Sequence, residues 1–174
     1  LAARLAGADA LLFSGVTVAI VPPGERPALL DAVAGARAAG ATIAFDPNIR
    51  PSLWPDPEAA GGVEPSAGLV GGVPEAAGGA LTAAAGVCDV LLPSFDDEAA
   101  LFGDPDPDAT VARYRAAGAR MVIVKNGAGR IVAWREPEGR VVFDPPPVKA
   151  VDSTAAGDSF NAACLAALME GASL

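Results

Sequence analysis

The chain has 174 residues, 52% of them hydrophobic and 19% charged, and it contains no histidine. This length and composition suit one domain with a real core and exclude disorder. A formal charge of −9 without any Lys/Arg cluster excludes a nucleic-acid or anionic-membrane surface and leaves small molecules as the expected partners. Without histidine, Ser-His-Asp and Cys-His catalysis and imidazole ligation of a metal drop out, so acid–base work falls to carboxylates. Cys88 and Cys164 lie far apart with no C-x-x-C spacing and read as buried free thiols in a reducing cytosol. Residues 1–10 carry Arg4 and Asp9 and are too short and interrupted for a signal or spanning helix, so a cytoplasmic location is expected. Both ends fall in mid-pattern, and the expectation is a domain cut at both.

Residues 1–7 read as the tail of a helix, and residues 10–15 as a continuous apolar run typical of a doubly covered parallel strand, with Gly15 turning the chain. After Pro22-Pro23-Gly24, the residues Leu29, Leu30, Val33 and Ala36 recur at helical spacing up to Gly40, and residues 41–46 form the next strand. Ligands of β-α-β units gather at the C-terminal ends of strands, so Asp46 and Pro47-Asn48-Ile49-Arg50-Pro51 are predicted to face a site. The two prolines stiffen this loop. The Arg50 fork suits a carboxylate or phosphate taken bidentately, with Asn48 as a neutral donor and Asp46 as an orienting acceptor; the alternative is a surface ion pair in a Pro-rich turn. Trp54 reads as a packing anchor for the loop. Residues 55–80 are an Ala/Gly/Pro-rich insertion, expected to be flexible and given no function. Residues 74–86 are the one stretch near it fit for a covering helix, weakened by Gly78-Gly79.

Residues 88–92 read as the next buried strand, followed by Ser94 and three consecutive acids, Asp96, Asp97 and Glu98. Helix capping by Ser94, with the acids in the first turn, explains them structurally. Residues 105–118 form an amphipathic helix through Val111 and Tyr114. The strand 120–125 then delivers Asn126-Gly127-Ala128-Gly129-Arg130 to the same edge. Gly127 and Gly129 allow tight turning beside a nucleotide, yet the segment fits neither G-x-x-x-x-G-K-[ST] nor G-x-G-x-x-G. Residues 131–135 and 140–143 read as a β-hairpin at an antiparallel edge, and residues 144–150 as an extended crossing. The whole alternation predicts a three-layer α/β/α domain on a mostly parallel sheet.

The rest of the chain is read as organised around residues 151–161, Val-Asp-Ser-Thr-Ala-Ala-Gly-Asp-Ser-Phe-Asn. Thr154 is read as an N-cap, Ala155, Ala156 and Gly157 leave their N–H groups unobstructed, and Phe160, Ala163, Cys164, Ala167 and Leu168 recur at helical spacing. Such a helix start favours an anion. Asp158 would repel that anion unless a cation intervenes or the acid takes a proton from a hydroxyl attacking phosphorus; the alternative is an ordinary capped helix with an acid in its first turn.

Asp152-Ser153-Thr154-Ala155-Ala156-Gly157-Asp158-Ser159-Phe160 resembles the D-T-x-G-A-G-D-x-F signature of the ribokinase-like, or PfkB, carbohydrate kinases, with Ala155 in place of the first Gly as in the 2-keto-3-deoxygluconate kinase branch. Phe45-Asp46-Pro47-Asn48-Ile49-Arg50 through Leu53-Trp54 resembles the F-D-x-N-x-R-x-x-L-W of the deoxygluconate and fructokinase-like branches. The resemblance covers nearly all of residues 1–174 apart from 55–80 and implies a single ribokinase-like kinase domain. It implies that Ala155, Ala156 and Gly157 are the anion hole for the ATP phosphates and that Asp158 is the base acting on the substrate hydroxyl. It implies that Arg50 holds a sugar-acid carboxylate, and that Asn48 reaches the phosphates. Ser94 and Asp97 take the places of Asn and Glu in the family's N-x-x-E, which implies that Asp97 orders hydrated Mg²⁺. Lys125, Gly127 and Gly129 fall in its V-K-x-G-x-x-G, which sits against the nucleotide, with Arg130 at the final Gly. The implied reaction is transfer of the γ-phosphoryl group of Mg-ATP to a primary hydroxyl of 2-keto-3-deoxygluconate. Two alternatives stand beside it: a fructokinase- or ribokinase-type enzyme with a neutral sugar, and a non-catalytic remnant that binds nucleotide. The family's N-terminal half, whose lid is where its members pair as homo-oligomers, is expected to lie outside the chain.

Overall fold

The computed structural model describes residues 1–54, 69–70 and 73–174. In chain order, α1 (Ala2–Leu5) leads into β1 (Ala10–Ser14), α2 (Gly15–Ile20), a 3-10 turn at Pro23–Glu25, α3 (Arg26–Ala38) and β2 (Thr42–Asp46). A second 3-10 turn, Pro51–Leu53, closes the loop after β2. The short strands β3 (Leu69–Val70) and β4 (Val73–Pro74) pair antiparallel ahead of α4 (Glu75–Ala85). Then come β5 (Val90–Leu91), α5 (Phe95–Phe102), α6 (Pro107–Ala116), β6 (Met121–Val124), the hairpin β7 (Ile131–Arg135) and β8 (Gly139–Phe143), and α7 (Ala156–Met169). Of the segment 55–80, residues 55–68 and 71–72 lie outside the described residues.

The main sheet has the order β1-β2-β5-β6-β7-β8. Its first four strands are parallel and the last two antiparallel, the mostly parallel sheet with a hairpin edge that the pattern predicts. Side chains alternate between its faces, as the two-residue period of a strand requires. Ile43, Phe45, Leu91, Val122 and Val124 join the larger core with Val33 and Ala36 of α3, Leu81 and Ala84 of α4, and Val111 and Tyr114 of α6. Ala44, Val90, Leu92, Met121 and Ile123 face the other way, onto Phe160, Cys164, Leu165 and Leu168 of α7. Among the described residues α7 is the only helix packed on that second core, and Leu12 of β1 stays 47% exposed. Both cysteines are free thiols as expected, but only Cys88 is buried, Cys164 being half-buried at the sheet face of α7; burial, with Asp89 beside it, pushes the Cys88 thiol up to about 12. No helix among the described residues is long and apolar enough to cross a membrane.

At Gly15 the sequence reading placed only a turn, but a helix starts there. The Ser14 N–H donates to the Thr17 hydroxyl at 3.4 Å, and α2 packs directly on the loop after β2. A Cβ on Gly15 would overlap the Pro47 carbonyl oxygen and come within 2.9 Å of Leu81 Cδ2. The backbone approach that seats the 47–50 loop therefore demands glycine. Gly15→Ala is expected to cost about 3 kcal/mol, the upper part of the overpacking range, because the obstacle is backbone and cannot rotate away. Chemical denaturation of the two proteins checks this, and a loss under about 0.5 kcal/mol would show that the loop is not seated on Gly15.

Candidate active site

β2 carries Asp46, 6% exposed, to the C-terminal edge of the sheet. Its Oδ1 accepts the Asn48 N–H at 3.1 Å, and its Oδ2 accepts Lys125 Nζ at 2.9 Å and Asn161 Nδ2 at 2.6 Å. Lys125 Nζ also donates to Asn161 Oδ1 at 3.1 Å. One expectation is corrected here: Asp46 orients Lys125 and Asn161 rather than Arg50. The Lys125 ammonium is turned inward to meet it. A buried carboxylate is tolerable only when ion-paired and fully hydrogen-bonded, and Lys125 supplies that charge.

The loop after β2 alternates buried and open positions: Pro47 and Ile49 are buried, Asn48 is half-buried, and Arg50 is exposed. Asn48 has φ of 35°, a left-handed conformation that asparagine tolerates better than most residues, held by the bond from its N–H to Asp46. The Ile49 N–H donates to Asp97 Oδ2 at 3.3 Å, which docks α5 against the loop. Burial raises the Asp97 carboxyl above its ordinary pKa, against the pull of the Ile49 N–H and the nearby Arg50 charge. The Arg50 side chain donates to no group among the described residues. Trp54 is buried, as expected of a packing anchor, with the Arg26 guanidinium 5.0 Å from its ring centroid. Arg26 Nε also donates to the carbonyls of Val18 and Val21 at 3.0 and 3.1 Å, so a residue without a sequence signal ties α2 to the loop.

The start of α7 differs in detail from the expected cap. Ala155, with φ of 58°, is the N-cap, while Thr154 lies one residue earlier and donates its N–H to Asp152 Oδ1 at 2.8 Å. The Ala156 N–H is taken by the Ser153 carbonyl at 3.1 Å. The N–H groups of Ala155, Gly157 and Asp158 have no acceptor among the described residues, so of the donors expected at Ala155, Ala156 and Gly157 only that of Ala156 is taken. A Cβ on Gly157 would meet only Lys125 Nζ within 4 Å, at 3.8 Å, so the turn is open on its outer side with an ammonium beneath it. Asp158 is exposed and lies three residues before the buried Asn161, on the same stripe of the helix.

Ser94 and Lys125 meet as an isolated parallel bridge: the Phe95 N–H donates to the Lys125 carbonyl at 2.8 Å, and the Lys125 N–H to the Pro93 carbonyl at 2.9 Å. Ser94 occupies the N-cap of α5, but its side chain makes no capping bond. Gly127 has φ of 51°, and the Gly129 N–H closes a turn onto the Asn126 carbonyl at 2.6 Å, so both glycines shape an exposed loop beside Lys125. Arg130 pairs with Asp144 at 2.8 Å at the open end of the hairpin. Among the described residues no group of three or more acids or cysteines could cage a metal. The half-buried Asp97, one carboxylate beside an anion-binding edge, fits Mg²⁺ carried largely by nucleotide phosphates and water.

One buried group went unread in the sequence. Glu98 is fully buried; it accepts the Tyr114 hydroxyl at 3.0 Å on each oxygen and Arg113 Nη2 at 2.6 Å. Arg113 Nη2 also reaches Asp104 Oδ2 at 2.7 Å, and its guanidinium lies 3.8 Å from the centroid of Phe102. Burial outweighs the guanidinium and pushes the Glu98 carboxyl up to about 7. The run of three acids concealed it, because Glu98 next to Asp97 reads as one more first-turn acid.

Among the described residues, one strand-end edge of the open α/β sheet gathers amide donors without acceptors, an exposed carboxylate and an arginine that donates to no group, an arrangement chemically suited to a small anion. Residues 1–174 match the model of the pfkB family of carbohydrate kinases, and the chain belongs to that family. It is 34% identical over 173 residues to the 2-dehydro-3-deoxygluconokinase of Escherichia coli strain K12, covering 98% of this chain and 50% of that protein. A PfkB protein from Polaromonas sp. JS666 superposes with a TM-score of 0.77 at 30% identity, over 99% of this chain and 50% of that one. Fructokinase with bound ATP from Xylella fastidiosa shares the fold, with a TM-score of 0.72 at 21% identity over 99% and 48% of the two chains. The chain thus spans about half the length of the curated relatives it matches.

The Glu98 cluster generates a pH prediction. The folded-state pKa lies above the ordinary 4.5, so the stability this group contributes is full below about pH 4.5 and is lost as pH rises through about 7. Unfolding free energies from urea titrations between about pH 5 and pH 8 are expected to fall by up to about 3 kcal/mol on this account. Glu98→Gln, which stays neutral throughout, is expected to flatten that slope, and an unchanged slope would assign the dependence elsewhere.

Proposed function

We propose that this chain carries the phosphoryl-transfer centre of an ATP-dependent sugar kinase, whose acceptor is the primary hydroxyl of 2-keto-3-deoxygluconate (2-dehydro-3-deoxygluconate). The observation that carries this reading is the start of α7: three N–H donors, at Ala155, Gly157 and Asp158, without an acceptor among the described residues and next to an exposed carboxylate. Membership in a carbohydrate kinase family and the kinship with a 2-dehydro-3-deoxygluconokinase support it.

In this reading the phosphates of ATP lie on the start of α7, where the free amides and the positive end of the helix dipole favour negative charge. Asp158 accepts the proton of the substrate hydroxyl as that oxygen bonds to the γ-phosphorus and the bond to the ADP oxygen breaks; the products are the phosphorylated sugar acid and ADP. Placing the base and the phosphate amides on one helix turn fixes the in-line geometry, and positioning supplies most of the rate. Arg50, exposed and without a protein partner among the described residues, takes the substrate carboxylate with its forked guanidinium. Asn48 presents a donor toward the phosphates from the same loop. Ser94, Gly127 and Gly129 border the nucleotide, and Lys125 contributes its charge from beneath. Mg²⁺ bound with ATP would neutralise phosphate charge, with Asp97 meeting its water shell. The same reading takes the protein as a cytoplasmic enzyme.

Phosphorylation assays on the full-length protein with 2-keto-3-deoxygluconate, fructose and ribose test the reaction and the acceptor together. Asp158→Asn is expected to lower kcat by about 10²- to 10⁴-fold while sparing ATP binding; equal activity would remove the base assignment. Arg50→Ala is expected to raise the KM for the sugar acid by about 10- to 100-fold, the worth of a charge-assisted hydrogen bond. Preference for fructose or ribose would move the protein to a neutral-sugar kinase, and absence of turnover with all three would make it a nucleotide-binding remnant.

A further inference from the structure

Asp46, Lys125 and Asn161 form a closed ring. Each side chain is hydrogen-bonded to both of the others, at 2.9, 3.1 and 2.6 Å, and each residue is 9% exposed or less. The three come from the end of β2, the residue after β6 and the second turn of α7. As a contribution to stability, a buried ion pair is often no better than apolar side chains of the same volume. What it supplies is direction: if α7 slides or rotates by an ångström, two short bonds between buried groups are lost together.

The ring touches both halves of the proposed site. The second oxygen of Asp46 holds the Asn48 N–H and so roots the loop that bears Arg50. Asn161 lies one turn below Asp158 on the same helix stripe, and the Lys125 ammonium lies under Gly157. The apolar side of α7 rests on the smaller second core, and its only side-chain hydrogen bonds to the rest of the described residues are those of Asn161.

We propose that Asp46, Lys125 and Asn161 are positioning residues, a polar lock that sets the first turn of α7, and with it Asp158, against the loop that carries Asn48 and Arg50. The functional part rests on the kinase reading above; the structural part does not. The lock fixes the rotation of α7, so the free amides and the Asp158 carboxylate converge on one point. It also holds a positive charge beneath that point without exposing it to solvent.

Asn161→Ala cuts the tie to α7 while leaving the Asp46–Lys125 ion pair intact. Because a single change at Asp46 or Lys125 strands a buried charge, the second variant is the charge-balanced double substitution Asp46→Asn with Lys125→Met. In ligand-free protein the amide NMR signals of Gly157 and Asp158 are expected to move in both variants, while that of Gly139, in the distant hairpin, stays. In the full-length enzyme kcat per folded molecule is expected to fall about 10- to 100-fold in both variants, the cost of misplacing reacting groups by about an ångström. In Asn161→Ala, which keeps the Lys125 charge and the Asp46 tie to the loop, the KM values for ATP and the sugar acid are expected to stay within about threefold. Unmoved Gly157 and Asp158 signals overturn the proposal. So does a kcat loss that vanishes after correction for the folded fraction, which would leave a merely structural ring. A parent without turnover sinks the kinase reading instead, and the amide signals, read without any substrate, still decide whether the ring holds α7.

Discussion

The carboxylate of Asp46 is the group on which the ligand edge of this protein turns. It takes hydrogen bonds from a loop amide, an ammonium and a side-chain amide, and those donors belong to three segments, two of which are joined again by the bond from Lys125 to Asn161. Apolar packing brings the same segments together but is non-directional: Phe160, Cys164, Leu165 and Leu168 hold α7 to the sheet without setting its rotation. Burial of Asp46 makes its bonds strict, since in a low-dielectric interior an unpaired charge is far costlier than at the surface.

A similar division of labour operates in α5. Successive helical residues point about 100° apart, so the adjacent acids Asp97 and Glu98 serve different neighbours. Asp97 faces the loop after β2 and takes the Ile49 amide, whereas Glu98 faces inward to Arg113 and Tyr114 of α6. The bridge between Ser94 and Lys125 joins the start of the same helix to the residue that pairs with Asp46. The two buried charge clusters are thereby connected through one short helix. The candidate site sits on a frame stiff in the directions that matter for the proposed phosphoryl transfer, while its open groups, Arg50, Gly157 and Asp158, stay at the surface.

Local pattern made much of this legible. The five strands β1, β2, β5, β6 and β7, the helices α3, α5, α6 and α7 and the hairpin all lie where apolar periodicity and turn residues put them, because those signals act over a few residues. The short helix α2 escaped, since a glycine start after a strand looks like a turn until the packing of Pro47 against it is seen. The cap of α7 was misplaced by one residue, since Ala155 adopts a left-handed conformation that nothing in an alanine announces. Arg26 and Glu98 escaped for a related reason. Surface-type residues reveal burial only through their partners.

The order of the elements, the parallel core and the rule that polar loops gather past the strand ends were determined by the sequence alone, because they follow from side-chain period and the geometry of β-α-β crossings. Which acid meets which cation was decided only by the tertiary structure. Asp46 finds Lys125 at a separation of 79 residues and Asn161 at 115, and it passes over Arg50 only four positions away. Charge complementarity along a chain is permissive, whereas a hydrogen bond requires a distance near 3 Å and a direction. Those two quantities exist only once the strands are laid side by side.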